Sequence, residues 1–222
     1  FSANVSHELK TPLTSILGYA EIMRDGVAKA EDTKRFAAKI HDEAESLMSL
    51  IDDIIRLSQL DEKTSLPEMT VVDLKPVCES VCRRLMPLAE KAGVSLVTNL
   101  ETAKIRGIPK MLEEIVQNLV DNAIKYNTTN GSVGVSLHAS GHMVTLSVSD
   151  TGIGIPEEHL SRVFERFYRV DRSRNKQIGG TGLGLSIVKH AAETLGATVQ
   201  LESKLGIGTT VTITFPAASD PV

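Results

Sequence analysis

Val144-Thr-Leu-Ser-Val-Ser-Asp150-Thr-Gly-Ile-Gly-Ile-Pro156 reads as a strand that ends in an acid and then turns. Val144, Leu146 and Val148 alternate with Thr145, Ser147 and Ser149, the period-two pattern of a strand with one buried and one polar face. The same alternation occurs at Val133, Val135 and Leu137 and again at Val211, Ile213 and Phe215. Working outward, strands are predicted over 95–99, 132–138, 144–150, 198–202 and 209–215, and helices over 74–92, 109–126 and 183–195. Half-buried strands of this kind fit a mixed, largely antiparallel sheet with helices over one face, an α/β sandwich, better than a doubly wound sheet.

The chain before this sandwich has a different period. Val5, Leu9, Leu13, Ile16, Ala20 and Met23 fall at steps of three or four and describe one stripe of a helix. Pro12 interrupts the stripe; it removes one backbone hydrogen bond and crowds the Glu8 carbonyl, so a bend is expected one turn after His7. Gly26 marks a connection, and Asp32 or Thr33 is placed to cap a second helix. That helix carries Phe36, Ile40, Leu47, Ile51, Ile54 and Leu57 or Ser58 at heptad-like steps, with Asp42, Glu43, Glu45, Asp52 and Asp53 as a solvated face. Two amphipathic helices bury one stripe each and enclose no core. A homodimer closing the antiparallel hairpin into a four-helix bundle answers this; packing against the rest of the same chain is the alternative. The polar stretch around Pro67 reads as a linker. The organisation is therefore a helical domain over 1–62, a linker over 63–70 and an α/β domain over 71–217.

Composition narrows the partners. With 222 residues, 41% hydrophobic, the chain can hold one sizeable core and a smaller module. Its 24 basic and 28 acidic residues give a net charge of -4, which provides no electrostatic footprint for nucleic acid or an anionic membrane. No apolar run is long enough to span a bilayer, so no membrane contact is expected of this fragment, which reads as cytoplasmic. The first residue is Phe1 and the first helix begins in progress, so the chain reads as part of something longer. Cys78 and Cys82 lie four apart on one helical face and read as buried free thiols, since zinc spacing would need two further ligands.

Three groups of residues carry chemistry. Asn118, Asn122 and Lys125 lie at i, i+4 and i+7 of one predicted helix and project from one side. Amide oxygens suit Mg²⁺, and an ammonium suits phosphate; an exposed helix face is the competing reading. Asp150 ends its strand beside Gly152 and Gly154, where the backbone can approach a ligand closely. A carboxylate accepting from an exocyclic amine would favour adenine over guanine; a tight turn capped by Asp150 is the alternative. Gly179-Gly-Thr-Gly-Leu-Gly-Leu185 opens the helix over 183–195, whose free N–H groups and positive end can bind phosphate. It lacks the Lys-Ser or Lys-Thr of a P-loop and the preceding strand of a dinucleotide fold. Between the glycine segments, Phe164-Glu-Arg-Phe-Tyr-Arg-Val-Asp171 and the polar stretch over 172–178 could be a lid carrying arginines to a terminal phosphate. His41, His138, His142, His159 and His190 belong to none of these groups and read as surface or structural.

These segments, in this order and behind a His7-Glu-Leu-Lys-Thr-Pro-Leu13 helix, resemble the H, N, G1, F and G2 boxes of the sensor histidine kinases of two-component systems, over essentially the whole chain. The resemblance implies a dimerisation and phosphotransfer domain followed by an ATP-binding domain of the type shared with gyrase, mismatch-repair and heat-shock chaperone ATPases. His7 then matches the phosphoacceptor and Glu8 the adjacent acid that orients its ring. Thr11 matches the position that places a water for dephosphorylating the response regulator. Asn122 matches the Mg²⁺ ligand, with Asn118 close to metal and phosphates. Lys125 and Tyr126 match nucleotide contacts, Asp150 the adenine-reading acid within the Gly152 and Gly154 loop, and Arg169 a γ-phosphate contact. Gly180, Thr181, Gly182, Leu183 and Gly184 match the phosphate loop and lid hinge. The related ATPases use a glutamate on this helix to activate water; Asn118 stands here instead, which favours transfer to histidine over hydrolysis. The implied activity is autophosphorylation from ATP, with Mg²⁺, then transfer to an aspartate on the receiver domain of a response regulator, together with regulator phosphatase activity. The implied whole protein is membrane-anchored and homodimeric. A nucleotide-binding pseudokinase that signals by shape alone is the competing reading, as is an ATPase of the chaperone type.

Overall fold

A computed structural model of the chain describes residues 2–61, 67–170 and 180–218. The helical hairpin comprises α1 (Ser2–Arg24) and α2 (Ala30–Asp61). Gly26, in the left-handed region at φ 69°, turns the chain between them, and the rings of Tyr19 and Phe36 stack at 5.5 Å across the pair. Helix α1 runs unbroken through Pro12, so the bend expected there does not interrupt it. Neither Asp32 nor Thr33 caps α2. The helix starts at Ala30, the Thr33 hydroxyl donates to the Lys29 carbonyl, and Asp32 sits inside the first turn, where an acid complements the positive helix end.

The buried stripe of α2 follows the predicted one at Phe36, Ile40, Leu47, Ile54 and Leu57, and departs from it at two positions, Leu50 and Ile51. Leu50 and Leu57, seven residues apart, are buried in the same apolar cluster as the sheet domain, while Ile51 stays exposed. The second half of α2 therefore packs against its own chain, and this alternative for closing the hairpin is realised in part. Leu13, Leu17, Met48, Ile51 and Ile55 remain exposed on the two helices.

After residues 62–66, where part of the predicted linker lies outside the described residues, the α/β domain begins at β1 (Thr70–Asp73). It continues through α3 (Leu74–Ala92), β2 (Ser95–Leu100), β3 (Lys104–Gly107), α4 (Pro109–Lys125), β4 (Ser132–Ser140) and β5 (Met143–Asp150). The short α5 (Glu157–Leu160), α6 (Gly184–Thr194), β6 (Thr198–Lys204) and β7 (Gly208–Pro216) complete it. Five strands form one sheet in the order β2-β4-β5-β7-β6, with only β2 and β4 parallel. The alternating valines, leucines and isoleucines of β4, β5 and β7 are buried under α3, α4 and α6. The opposite face carries hydroxyls such as Ser147 and Thr212, which bond each other at 3.3 Å. This is the two-layer, largely antiparallel sandwich expected from the sequence.

Two strands were not expected. β1 and β3 are four residues each and form a two-stranded sheet, from Thr70 opposite Gly107 to Asp73 opposite Lys104, with Ile105 also bridging Ala217 beyond β7. Each is too short for alternation to register, and their packing is fixed by Ile105, fully buried, and by Asp73, which caps α3 through the Lys75 N–H at 3.1 Å. Cys78 and Cys82 are buried on the inner face of α3, as predicted, and burial pushes their thiols up to about 12 and about 11. Among the described residues, no helix is long and apolar enough to cross a membrane.

Candidate active site

Helix α4 buries Leu112, Ile115, Val116, Leu119, Val120 and Ala123 along one side. That fixes the opposite ridge. Asn118 and Asn122 lie half-buried on it, and Lys125 is exposed at its end, where its ammonium pairs with Asp121 at 2.7 Å. The Asn118 amide N–H donates to the Glu114 carbonyl at 2.8 Å, so its carbonyl oxygen is turned outward. This oxygen lies 2.9 Å from where a side chain on Gly184 would begin, and the Asn122 amide lies 3.6 Å from the same point. The first residue of α6 thus faces both asparagines. A neutral amide oxygen presented beside an open helix end fits a hard divalent cation, and Mg²⁺ is the cation that uses such ligands with phosphate.

The glycine loop before α6 is built around Thr181. Its hydroxyl accepts from the Leu183 N–H at 3.2 Å and donates to the Asp53 carboxylate at 2.6 Å. No side chain caps α6, so the N–H groups of its first turn stay open toward the loop. Leu183 is fully buried and anchors the loop to the core. The Tyr126 hydroxyl lies 3.6 Å from the Cβ position of Gly180, which brings the end of α4 to the loop's other side.

Asp150 ends β5 as expected, half-buried. Its Oδ1 accepts from the Gly152 N–H at 2.8 Å and the Thr209 N–H at 3.2 Å, which leaves Oδ2 for a ligand. Burial raises this carboxyl above the ordinary range, and the two backbone donors pull it partly back. The loop after it is tied down at both ends: the Ile153 N–H donates to the Tyr126 carbonyl at 3.0 Å, and the Gly206 N–H to the Ile153 carbonyl at 2.8 Å. Gly154 has φ 65°, and a Cβ there would overlap the Lys204 carbonyl, so only glycine fits.

The Phe167 N–H donates to the Gly182 carbonyl at 3.0 Å, so the segment before the loop is joined to the loop itself. Arg169 follows, with its Nε buried and without a hydrogen-bond partner. A guanidinium N–H in that state is costly and suits an anion. Residues 171–179, including Asp171, Gly179 and the arginine-bearing stretch over 172–178, lie outside the described residues.

On α1, His7 is exposed, and its Nδ1 lies 3.7 Å from the Glu8 carboxylate. Nε2 is therefore the outward nitrogen. The Thr11 hydroxyl donates to the His7 carbonyl at 3.1 Å, the ordinary back-bond of a helical threonine.

Sequence reasoning missed Asp53. It was placed on a solvated face of α2, yet it is half-buried against the glycine loop, where burial raises its carboxyl while Thr181, Arg56 and Lys125 favour its charge. Beside it, Arg56 approaches Glu114 of α4 at 3.7 Å. Periodicity within α2 carries no sign of this, because the partner lies 128 residues away.

A carboxylate at a strand end, paired amides and an uncapped glycine loop, linked through Tyr126, make a nucleotide-binding unit carried behind a helical hairpin. Residues 107–219 match the family of histidine kinase-, DNA gyrase B- and HSP90-like ATPases, and residues 1–63 match the His kinase A phospho-acceptor domain. The chain is 37% identical over its whole length to the sensor-like histidine kinase SenX3 of Mycolicibacterium smegmatis, covering 58% of that protein. It is 33% identical to the sensor histidine kinase WalK of Bacillus subtilis over 97% of this chain and 36% of WalK. The Acinetobacter baumannii histidine kinase AdeS superposes with a TM-score of 0.78 at 24% identity, over 96% of this chain and 98% of that one. Histidine kinase ThkA, solved in complex with response regulator protein TrrA, superposes at 0.77 and 21% identity over 98% of this chain and 61% of that one. The chain belongs to the sensor histidine kinases of two-component systems, as the catalytic core. It spans about half the length of the curated relatives it matches.

Proposed function

We propose that this chain phosphorylates itself on His7 from ATP and passes the phosphoryl group to an aspartate of a response regulator receiver domain. The observation that carries the reading is the joining of the Asn118 and Asn122 ridge to the open end of α6, in the same chain as an exposed His7 beside Glu8. The helical unit over 1–62 holds the acceptor, and the unit over 71–217, reached through 63–70, holds the donor.

Oδ2 of Asp150 accepts from the adenine amine, within the loop of Gly152 and Gly154. Tyr126 and Lys125 line the nucleotide at the end of α4. The N–H groups of Gly182 and Gly184 face the phosphates; Thr181 and Leu183 hold the loop in shape, the Leu183 N–H bonded to the Thr181 hydroxyl and the hydroxyl to Asp53, and Arg169 reaches the terminal phosphate. Asn122 and Asn118 hold Mg²⁺, which when bound neutralises phosphate charge. Glu8 holds the His7 ring so that Nε2 attacks in line, and it takes up the proton that the other nitrogen sheds. Positioning and charge neutralisation supply the rate. Asn118 leaves water without a general base. Thr11 serves the reverse task, placing a water for regulator dephosphorylation.

The exposed Leu13, Leu17, Ile51 and Ile55 support a homodimer in which two hairpins form a four-helix bundle. ThkA, of the same fold, has been solved with a response regulator protein, which supports a receiver domain as acceptor. The segment works in the cytoplasm, as part of a protein anchored in the membrane.

Incubation with γ-labelled ATP and Mg²⁺ tests the reading. Acid-labile, alkali-stable label on the wild-type chain, absent from His7→Gln while nucleotide affinity is kept, is the expected result. Label retained on His7→Gln would overturn the acceptor, and nucleotide binding without label would favour the pseudokinase.

A further inference from the structure

Outside the residues assigned to the nucleotide, one cluster is built with unusual care. His159 Nδ1 and the Tyr168 hydroxyl meet at 2.6 Å, their ring centroids 6.0 Å apart. The Arg162 guanidinium stacks over the Tyr168 ring at 4.3 Å and is itself held by both oxygens of Glu165 at 3.2 Å. The Tyr168 N–H donates to the Glu165 carbonyl at 3.2 Å. Tyr168 is thus fixed at its hydroxyl, its ring face and its backbone.

Its two chain neighbours explain why that matters. Phe167 sits at φ 65°, a region that side chains other than glycine rarely adopt and that persists only where the surroundings impose it. Gly182, at φ 71°, presses against the Phe167 backbone and accepts its N–H. Arg169 carries the unpartnered Nε. A turn that is strained on one side and ends in a guanidinium with an unpartnered Nε on the other needs an anchor between them.

We propose that His159 is a positioning residue for phosphate binding: its hydrogen bond to Tyr168 holds the Phe167 turn against Gly182 and so aims Arg169 at the terminal phosphate of the nucleotide. This rests on the reading of Arg169 as a phosphate contact. His159 touches no substrate; it acts through Tyr168. It fixes the tyrosine hydroxyl by a bond that an asparagine in its place could also make, because an asparagine amide reaches about as far as Nδ1.

The test is equilibrium binding of a non-hydrolysable ATP analogue and of ADP, each with Mg²⁺, to the same chain. Tyr168→Phe removes one oxygen and His159→Ala removes its partner. Each is expected to weaken the ATP analogue about fivefold and leave ADP within twofold, with the melting temperature unchanged, and His159→Asn to restore wild-type affinity. A role confined to folding would lower both nucleotides and the melting temperature together, and that result overturns the proposal. In an Arg169→Ala background, Tyr168→Phe is expected to have no further effect; losses that multiply would overturn it. If Arg169→Ala weakens the ATP analogue but Tyr168→Phe does not, only the positioning role fails. If Arg169→Ala leaves the analogue unaffected, the phosphate contact fails and the positioning role with it.

Discussion

Asp150 divides its two oxygens between the fold and the ligand proposed for it. Oδ1 is committed to two backbone N–H groups, and Oδ2 is left over. Asp150→Asn keeps an oxygen for the backbone and removes the charge. A hydrogen bond to a charged group is worth about 1.5–3 kcal/mol, so ATP affinity is expected to fall about ten- to a hundredfold. Stability should move the other way. The folded carboxyl titrates above its ordinary 3.8, so its contribution to stability is complete below that value and is lost as pH rises through the raised one. At neutral pH the asparagine escapes this cost, and the melting temperature should be equal or higher; a drop alongside affinity would mean that the carboxylate is structural. Thr11→Ala is expected to cost regulator dephosphorylation more than autophosphorylation, and equal losses would reduce the hydroxyl to its bond with the His7 carbonyl. Residues such as Asp150, Asn118 and Asn122 were legible in the sequence because a strand end or a helix ridge fixes their direction. His159 was not, because its partner Tyr168 is reached only after the chain has turned back from α5.

At the scale of elements, the site is held by loops that lean on strands. The glycine loop after β5 rests on the β6–β7 turn, where Gly154 leaves no room for a side chain beside the Lys204 carbonyl. Gly154→Ala is expected to cost about 2 kcal/mol or more, from a left-handed backbone plus displacement of that carbonyl. Thermal unfolding would register it as a lower midpoint, and nucleotide affinity should fall too; an unchanged midpoint would show that the turn yields freely. The long elements were legible because burial on one face leaves a period in the sequence, as in Val133, Val135 and Leu137 or in α3. The four-residue β1 and β3 left too little: β1 does not alternate in burial, and β3 alternates over four residues with a single large apolar side chain, Ile105. The start of α2 was misread for a related reason: Asp32 and Thr33 are good capping residues, but their side chains serve Arg35 and the Lys29 carbonyl instead.

At the scale of the whole molecule, the hairpin and the nucleotide domain meet where Asp53 takes the Thr181 hydroxyl. Desolvation raises the Asp53 carboxyl, so docking is favoured most when that group is neutral and weakens as pH rises through its raised value. Asp53→Asn is therefore expected to tighten docking at neutral pH, and Asp53→Ala, which removes the acceptor, to loosen it. Solution scattering would read a smaller radius of gyration for the first and a larger one for the second; the reverse order would show that charge attraction from Arg56 and Lys125 dominates. The bond from the Phe167 N–H to the Gly182 carbonyl also couples two points of the chain that are distant in sequence, so that a displacement on either side of it is felt on the other.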